Sequence, residues 1–279
     1  MEPGTRRVMS MSNQRSSQLP TLFISHGGGP WPFMDFGADN PYEGLARYLR
    51  EYPQKLAGKP KAILVVSAHW EEREFTVMTS PQPPMLYDYY GFPDHTYRVV
   101  YGASGSPELA RRIQELLQLA GIPSKEDSKR GFDHGVFAPF AVSHPQADVP
   151  IVQLSIRKDY DPKAHLAMGR ALAPLRSEGI LIVGSGLSYH NLRAFGPQAA
   201  PASREFDAWL TQAACAENPE LRSERLMNWS QAPSARKAHP REDHLIPLMV
   251  VAGAAGSDLG VKAYTDQMFS VEVSGFQFG

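Results

Sequence analysis

The sequence predicts an α/β fold, a mainly parallel central sheet flanked by helices in a single domain. Four short apolar runs carry that expectation: Thr21 to Ser25, Ala62 to Ser67, Pro150 to Ile156 and Ile180 to Gly184. They are rich in Ile, Val and Leu and lack polar alternation, the pattern of strands covered on both faces. The segments between them are helical in period, as the crossovers of a parallel sheet require. A length of 279 residues allows one large domain or two small ones, and in either case a sizeable core.

The clearest helix is Pro107 to Ala120. Ser106 can cap its start, Pro107 suits the first position, Leu109, Ile113, Leu116 and Leu117 form one stripe, and Gly121 ends it. Further helices are expected at Tyr42 to Leu56, Pro162 to Ser177 and Ser203 to Glu217. A last one begins near Asp243, its expected cap, and runs toward Gly253. Ser80 to Ser106 is a long loop with Tyr87, Tyr89, Tyr90, Phe92, Tyr97 and Tyr101 close together; it reads equally as an active-site wall or as a cover over the core. Residues 1–19, with Arg6, Arg7 and Arg15 among polar residues, read as a flexible tail rather than a targeting signal.

Composition excludes several function classes. Lys plus Arg number 28 and Asp plus Glu 29, so no charge excess points to nucleic acid or an acidic membrane as partner. The longest apolar run, Leu245 to Gly256, contains Pro247 and falls well short of the roughly 20 residues that span a membrane. Cys215 is the only cysteine, which excludes an internal disulfide and a thiolate zinc cluster and fits a cytoplasmic, reducing setting. Any metal must therefore be held by histidine and carboxylate.

Three of the four strand runs end in small-residue segments that carry a histidine: Ser25-His26-Gly27, Ser67-Ala68-His69-Trp70 and Gly186-Leu187-Ser188-Tyr189-His190. The carboxyl ends of parallel strands line one crevice, so these side chains are expected to converge there. Imidazole suits a transition metal such as iron or zinc better than magnesium or calcium. His134, between Asp133 and Gly135, fits a loop side chain pointing into a cavity, and His244 is expected in the first turn of the last helix. His144, His165 and His239 read as surface residues, while His95, in the aromatic loop, could touch a substrate.

With these motifs assembled, the chain resembles the class III extradiol ring-cleavage dioxygenases, and within them the DOPA 4,5-dioxygenase type. The matching stretches are Leu22 to Gly27, Val65 to Trp70, Gly131 to Gly135, Pro150 to Ser155, Gly186 to Leu192 and His244 to Leu248, in family order. The resemblance implies that residues 20–279 form an extradiol dioxygenase-like catalytic domain. It implies metal ligands at His26, His69 and His244, catalytic histidines at His134 and His190, and His190 as a candidate additional ligand. The protocatechuate branch resembles a two-histidine, one-carboxylate site instead; here the third position is His244, flanked by Glu242 and Asp243.

The expected cofactor is one divalent ion per chain, Fe(II) for ring cleavage or Zn(II). The expected substrates are a catechol and O2. His190 would act as base, and His134 or His190 as acid. Trp31, Tyr89, Phe92 and Tyr189 are the candidate substrate-binding aromatics. The same three histidines on zinc would suit a hydrolase, since zinc has no redox change to offer dioxygen, and a non-catalytic metal-binding member of the fold is the third reading. No HExxH motif or nucleophile elbow supports hydrolysis.

Overall fold

A computed structural model describes residues 18–279, and residues 1–17 of the expected tail lie outside the described residues. The chain is already docked at Leu19, which is buried and exchanges hydrogen bonds with Arg176 through its main-chain N–H and carbonyl.

Among the described residues there are eight strands, β1 (Thr21–Ser25), β2 (Ala62–Glu72), β3 (Phe75–Met78), β4 (Ser124–Asp127), β5 (Ile151–Arg157), β6 (Ile180–Gly186), β7 (Gly260–Met268) and β8 (Val271–Phe278). They form one sheet in the order β4-β3-β5-β2-β6-β1-β8-β7. The four runs legible in the sequence are its centre, and all three of their mutual pairings, β5 with β2, β2 with β6 and β6 with β1, are parallel. β8 adds antiparallel to β1 with β7 outside it, and β3 adds antiparallel to β5 with β4 parallel beyond it.

Alternation along each central strand feeds two separate cores. Leu64, Val66 and Ile182 enter the core on one face, and Ile63, Val65, Leu181 and Val183 the core on the other. All seven side chains are fully buried, which is why these runs show no polar period.

The α-helices are α1 (Glu43–Glu51), α2 (Pro107–Leu119), α3 (His134–Ser143), α4 (Pro162–Leu172), α5 (Pro174–Ser177), α6 (Ala200–Ala214), α7 (Pro219–Met227), α8 (Ala235–Ala238) and α9 (Ile246–Ala255). Apolar residues of α2, α4, α6 and α9 belong to one core, and those of α1, α3 and the aromatic loop to the other. Ser106 Oγ accepts from Leu109 N–H, the expected cap of α2.

Several expectations need correction. The helix expected through Ser177 breaks into α4 and α5 where Pro174 removes a donor. The one expected to Leu56 ends as α1, and a 3₁₀ turn with Pro53 follows. Asp243 does not cap α9: the N-cap position is Leu245, and His244 precedes the helix rather than lying in its first turn. His144, His165 and His239 are buried, not on the surface. Arg157 N–H donates to His165 Nε2, and the Nδ1 of His165 meets Asp161 O. His239 Nε2 meets Ser188 O and His144 Nδ1 meets Ser143 Oγ, so each of these two imidazoles has one ring nitrogen paired inside the protein.

Candidate active site

Three chain segments bring His26, His69 and His244 to one point. His26 follows the last residue of β1, and its N–H donates to Gly186 O at the end of β6. His69 lies inside β2 rather than in a turn after it, in the stretch where the pairing with β5 loses register between Val66 and Glu71. A strand irregularity of this kind re-aims side chains. His244 is set against β6 by its main chain, with Leu187 N–H donating to its carbonyl. Gly186 makes this approach feasible, because a Cβ there would stand 2.1 Å from His244 O. Gly27, at φ +78°, turns the chain away directly after His26, as only glycine does without strain.

The geometry at the meeting point has the dimensions of a metal centre. His69 Nε2 is 3.2 Å from His26 Nε2 and 3.3 Å from His244 Nε2. Ligand bonds of about 2.0–2.1 Å place neighbouring nitrogens roughly 2.8–3.4 Å apart, from octahedral to tetrahedral coordination. The other ring nitrogen of each histidine faces an acceptor: His26 Nδ1 meets Gly27 O at 2.7 Å, His244 Nδ1 meets Asp243 Oδ2 at 2.8 Å, and His69 Nδ1 is 3.5 Å from Asp88 Oδ2. The contacts of His26 and His244 put the proton on Nδ1 and leave their Nε2 lone pairs bare, and the Asp88 carboxylate favours the same tautomer of His69 more weakly. Burial pushes all three pKa values well below the ordinary 6.5, with neighbouring histidines adding to the effect. Three neutral imidazoles thus aim lone pairs at one another, which is favourable with a cation between them. The donor set fits one divalent transition ion.

His134 and His190 stand beside this point, one against His69 and the other against His244. The His134 ring is 3.9 Å from that of His69, between centroids, and opens α3. Its Nδ1 and its main-chain N–H both donate to Asp88 Oδ1, at 2.8 and 2.9 Å. The adjacent Asp133 does not orient His134. It is fully buried, takes hydrogen bonds from Ser67, Arg130 and Gln153, and so supports the strand that carries His69. His190 stacks on His244 with centroids 3.4 Å apart, and burial lowers its pKa while Asp243 opposes that shift.

Above the histidines lies a cavity of about 810 Å³, walled in part by Tyr42, Tyr89, Phe92, Phe195 and Phe269. A volume of that order accommodates a small aromatic molecule. Tyr89 and Phe92 line this cavity, so part of the aromatic loop is one of its walls. Trp31 and Tyr189 do not line it. Trp31 is buried, donates from Nε1 to His26 O and stacks on Tyr42; Tyr189 is buried and donates its hydroxyl to Ala194 O. His95 is exposed and meets Phe33 O.

Sequence reasoning missed Asp88, Glu71 and Arg241, and gave Asp243 the wrong task. The available signals were positional. Asp88 is the one acid inside Tyr87-Asp88-Tyr89-Tyr90, Glu71 follows His69 by two strand residues, and Arg241 stands three before His244.

The profile of the family described as the catalytic LigB subunit of aromatic ring-opening dioxygenase matches residues 20–276. The chain belongs to this family. It is 41% identical to a 4,5-DOPA dioxygenase extradiol of Beta vulgaris, covering 85% of this chain and 87% of that protein. Identity is 36% with the protein of the same name from Escherichia coli K12, over 86% of each, and 35% with dioxygenase tasH of Hapsidospora irregularis, over 96% of this chain and 88% of that protein. The crystal structure of an uncharacterized Escherichia coli K12 protein is similar at a TM-score of 0.76 and 32% identity, covering 94% of this chain and all of that one. A LigB-family oxidoreductase with a histidine cluster under an aromatic cavity agrees with the fold and chemistry expected from the sequence.

Proposed function

We propose that this protein is an extradiol dioxygenase that opens the ring of a DOPA-like catechol with O2, using one divalent ion held by His26, His69 and His244. The observation that carries the reading is the convergence of three Nε2 atoms whose Nδ1 partners leave them free to bind metal. Iron(II) bound there would supply chelation of both catechol oxygens, acidification of the hydroxyls and redox access to dioxygen.

The remaining roles fall to the chain's own groups. Tyr89 and Phe92 flank the aromatic ring. His190, stacked against His244 and neutral, takes a catechol proton. His134, fixed by Asp88, presents its Nε2 to the reacting face and returns a proton to oxygen as the ring opens. Both oxygen atoms end in the product, and the proton that His190 takes passes to His134 Nε2 and back to the substrate oxygen, so the step balances without a further reductant. Asp88 and Asp243 are positioning residues that hold His134 and His244.

No helix among the described residues is long and apolar enough to cross a membrane; with its single cysteine, Cys215, the protein suits a reducing cytoplasm. The direct test is anaerobic loading with iron(II) followed by a catechol in air. Oxygen uptake of one molecule per catechol with a yellow open-ring product is the expected result. Absence of uptake with every catechol, alongside ester or amide hydrolysis by the zinc form, refutes the reading in favour of a hydrolase.

A further inference from the structure

Two charged side chains in the cavity wall are left over once metal binding and proton transfer are assigned. Glu71 and Arg241 both line the cavity, and Arg241 is the only lysine or arginine among the described residues that do. Each is tied in sequence to a metal-site histidine. Glu71 lies two residues beyond His69 on β2, about 7 Å farther along a strand, and Arg241 precedes His244 by three. The pair thus lies beyond His69 along β2, in the wall of the same cavity.

The two are ion-paired to each other, and the Tyr160 hydroxyl donates to Glu71 and accepts from Arg241. The Arg241 guanidinium also lies 5.0 Å from the centre of the Tyr160 ring. The Arg241 side chain is 56% exposed and that of Glu71 20%. With its guanidinium half in water, Arg241 is open to a ligand carboxylate entering the cavity. Tyr160 keeps the guanidinium oriented when Glu71 turns to a ligand, and a guanidinium has donors to spare for a carboxylate.

We propose that Arg241 and Glu71 form the subsite that recognises an α-amino acid substituent on the catechol, Arg241 taking its carboxylate and Glu71 its ammonium. The two charges of an α-amino acid sit on one carbon, and here their complements are in direct contact. The inference rests on the ring-opening reading and deepens it. Arg241 and Glu71 are specificity residues, remote from the reacting bonds.

The test measures anaerobic equilibrium binding to the iron-loaded protein of four catechols: DOPA, dopamine without the carboxylate, 3-(3,4-dihydroxyphenyl)propionate without the ammonium, and 4-methylcatechol without either. Arg241→Gln is expected to weaken DOPA and the propionate by about 10- to 100-fold relative to 4-methylcatechol, as loss of charge-assisted hydrogen bonds implies. Glu71→Gln should weaken DOPA and dopamine but spare the propionate, and Arg241→Lys should restore part of the carboxylate preference. Equal weakening of all four by Arg241→Gln, or wild-type protein that binds 4-methylcatechol as tightly as DOPA, overturns the proposal and leaves the pair a clamp between β2 and the segment before α9. Oxygen uptake, followed separately in air, tells the two levels apart. Uptake without charge selectivity overturns this inference alone, whereas no uptake with any of the four removes the reading beneath it.

Discussion

Replacing Asp88 by Asn tests how the aromatic loop contributes to chemistry. The carboxylate accepts from His134 Nδ1 at 2.8 Å and from His134 N–H at 2.9 Å, while His69 Nδ1, at 3.5 Å, lies beyond a strong hydrogen bond. Asn keeps the shape and one acceptor oxygen but removes the charge. Hydrogen bonds to a charged group are worth about 1.5–3 kcal/mol against about 0.5–1.5 for neutral ones, so each of the two contacts weakens by about 1 kcal/mol. Their sum of about 2 kcal/mol corresponds to roughly thirtyfold in rate if His134 is held only for the transition state. Turnover of iron-loaded Asp88→Asn should therefore fall about thirtyfold, with metal affinity reduced less than about tenfold. Oxygen uptake at saturating catechol reads the first quantity and competition with a chelator the second. Wild-type turnover in the variant, or a metal defect that accounts for the whole loss, refutes the assignment of Asp88 to His134.

The other expected outcomes probe separate parts of the account. Asp243→Asn should lower metal affinity by about 10- to 100-fold in the chelator assay, because it weakens the hydrogen bond that fixes His244. Gly186→Ala would place a methyl group 2.1 Å from His244 O; about 1–3 kcal/mol of stability should be lost in a urea titration, and metal affinity with it. Trp31→Phe removes the bond to His26 O and part of the stack on Tyr42 without altering a cavity-lining side chain, and should leave substrate KM unchanged, a result that separates the observed structural role from the expected substrate contact. Burial lowers the pKa values of His144, His165 and His239 to about 4. Between pH 6.5 and about 4 the unfolded chain binds protons that the folded one refuses, so stability falls with falling pH by up to about 1.4 kcal/mol per pH unit for each imidazole. Denaturation midpoints at pH 7.5 and 5 read this slope, and His165→Gln should flatten it by one imidazole's share.

The parallel centre of the fold was legible because its strands are buried on both faces, as in Ile63-Leu64-Val65-Val66, and so write an unbroken apolar run. β7 and β8 were not read because β7, as in Gly260-Val261-Lys262-Ala263-Tyr264, mixes exposed and buried positions, and Glu272, Ser274 and Gln277 interrupt the apolar run of β8. α3 escaped because His134 to Ser143 is buried nearly all round and contains Pro139, which leaves no amphipathic stripe to detect. At the site, histidines following strand runs announced themselves by topology. Their carboxylate partners did not. Asp88 reaches His134 across 46 residues from an irregular loop, whereas the buried carboxylate of the adjacent Asp133 serves the segment under His69. The misread surface histidines failed similarly: a polar local sequence around His239 says nothing of the aromatic pocket of Phe206 and Trp229 that encloses it.

The central claim is that three imidazoles from distant parts of the chain hold one ion. Equilibrium titration of metal-free protein with iron(II) under nitrogen measures it directly, in the wild type and in His26→Ala, His69→Ala, His244→Ala and His134→Ala. One tight ion per chain in the wild type and in His134→Ala, with tight binding lost in each of the other three, is the predicted result. Undiminished affinity in His69→Ala, the histidine that contacts both of the others, contradicts it.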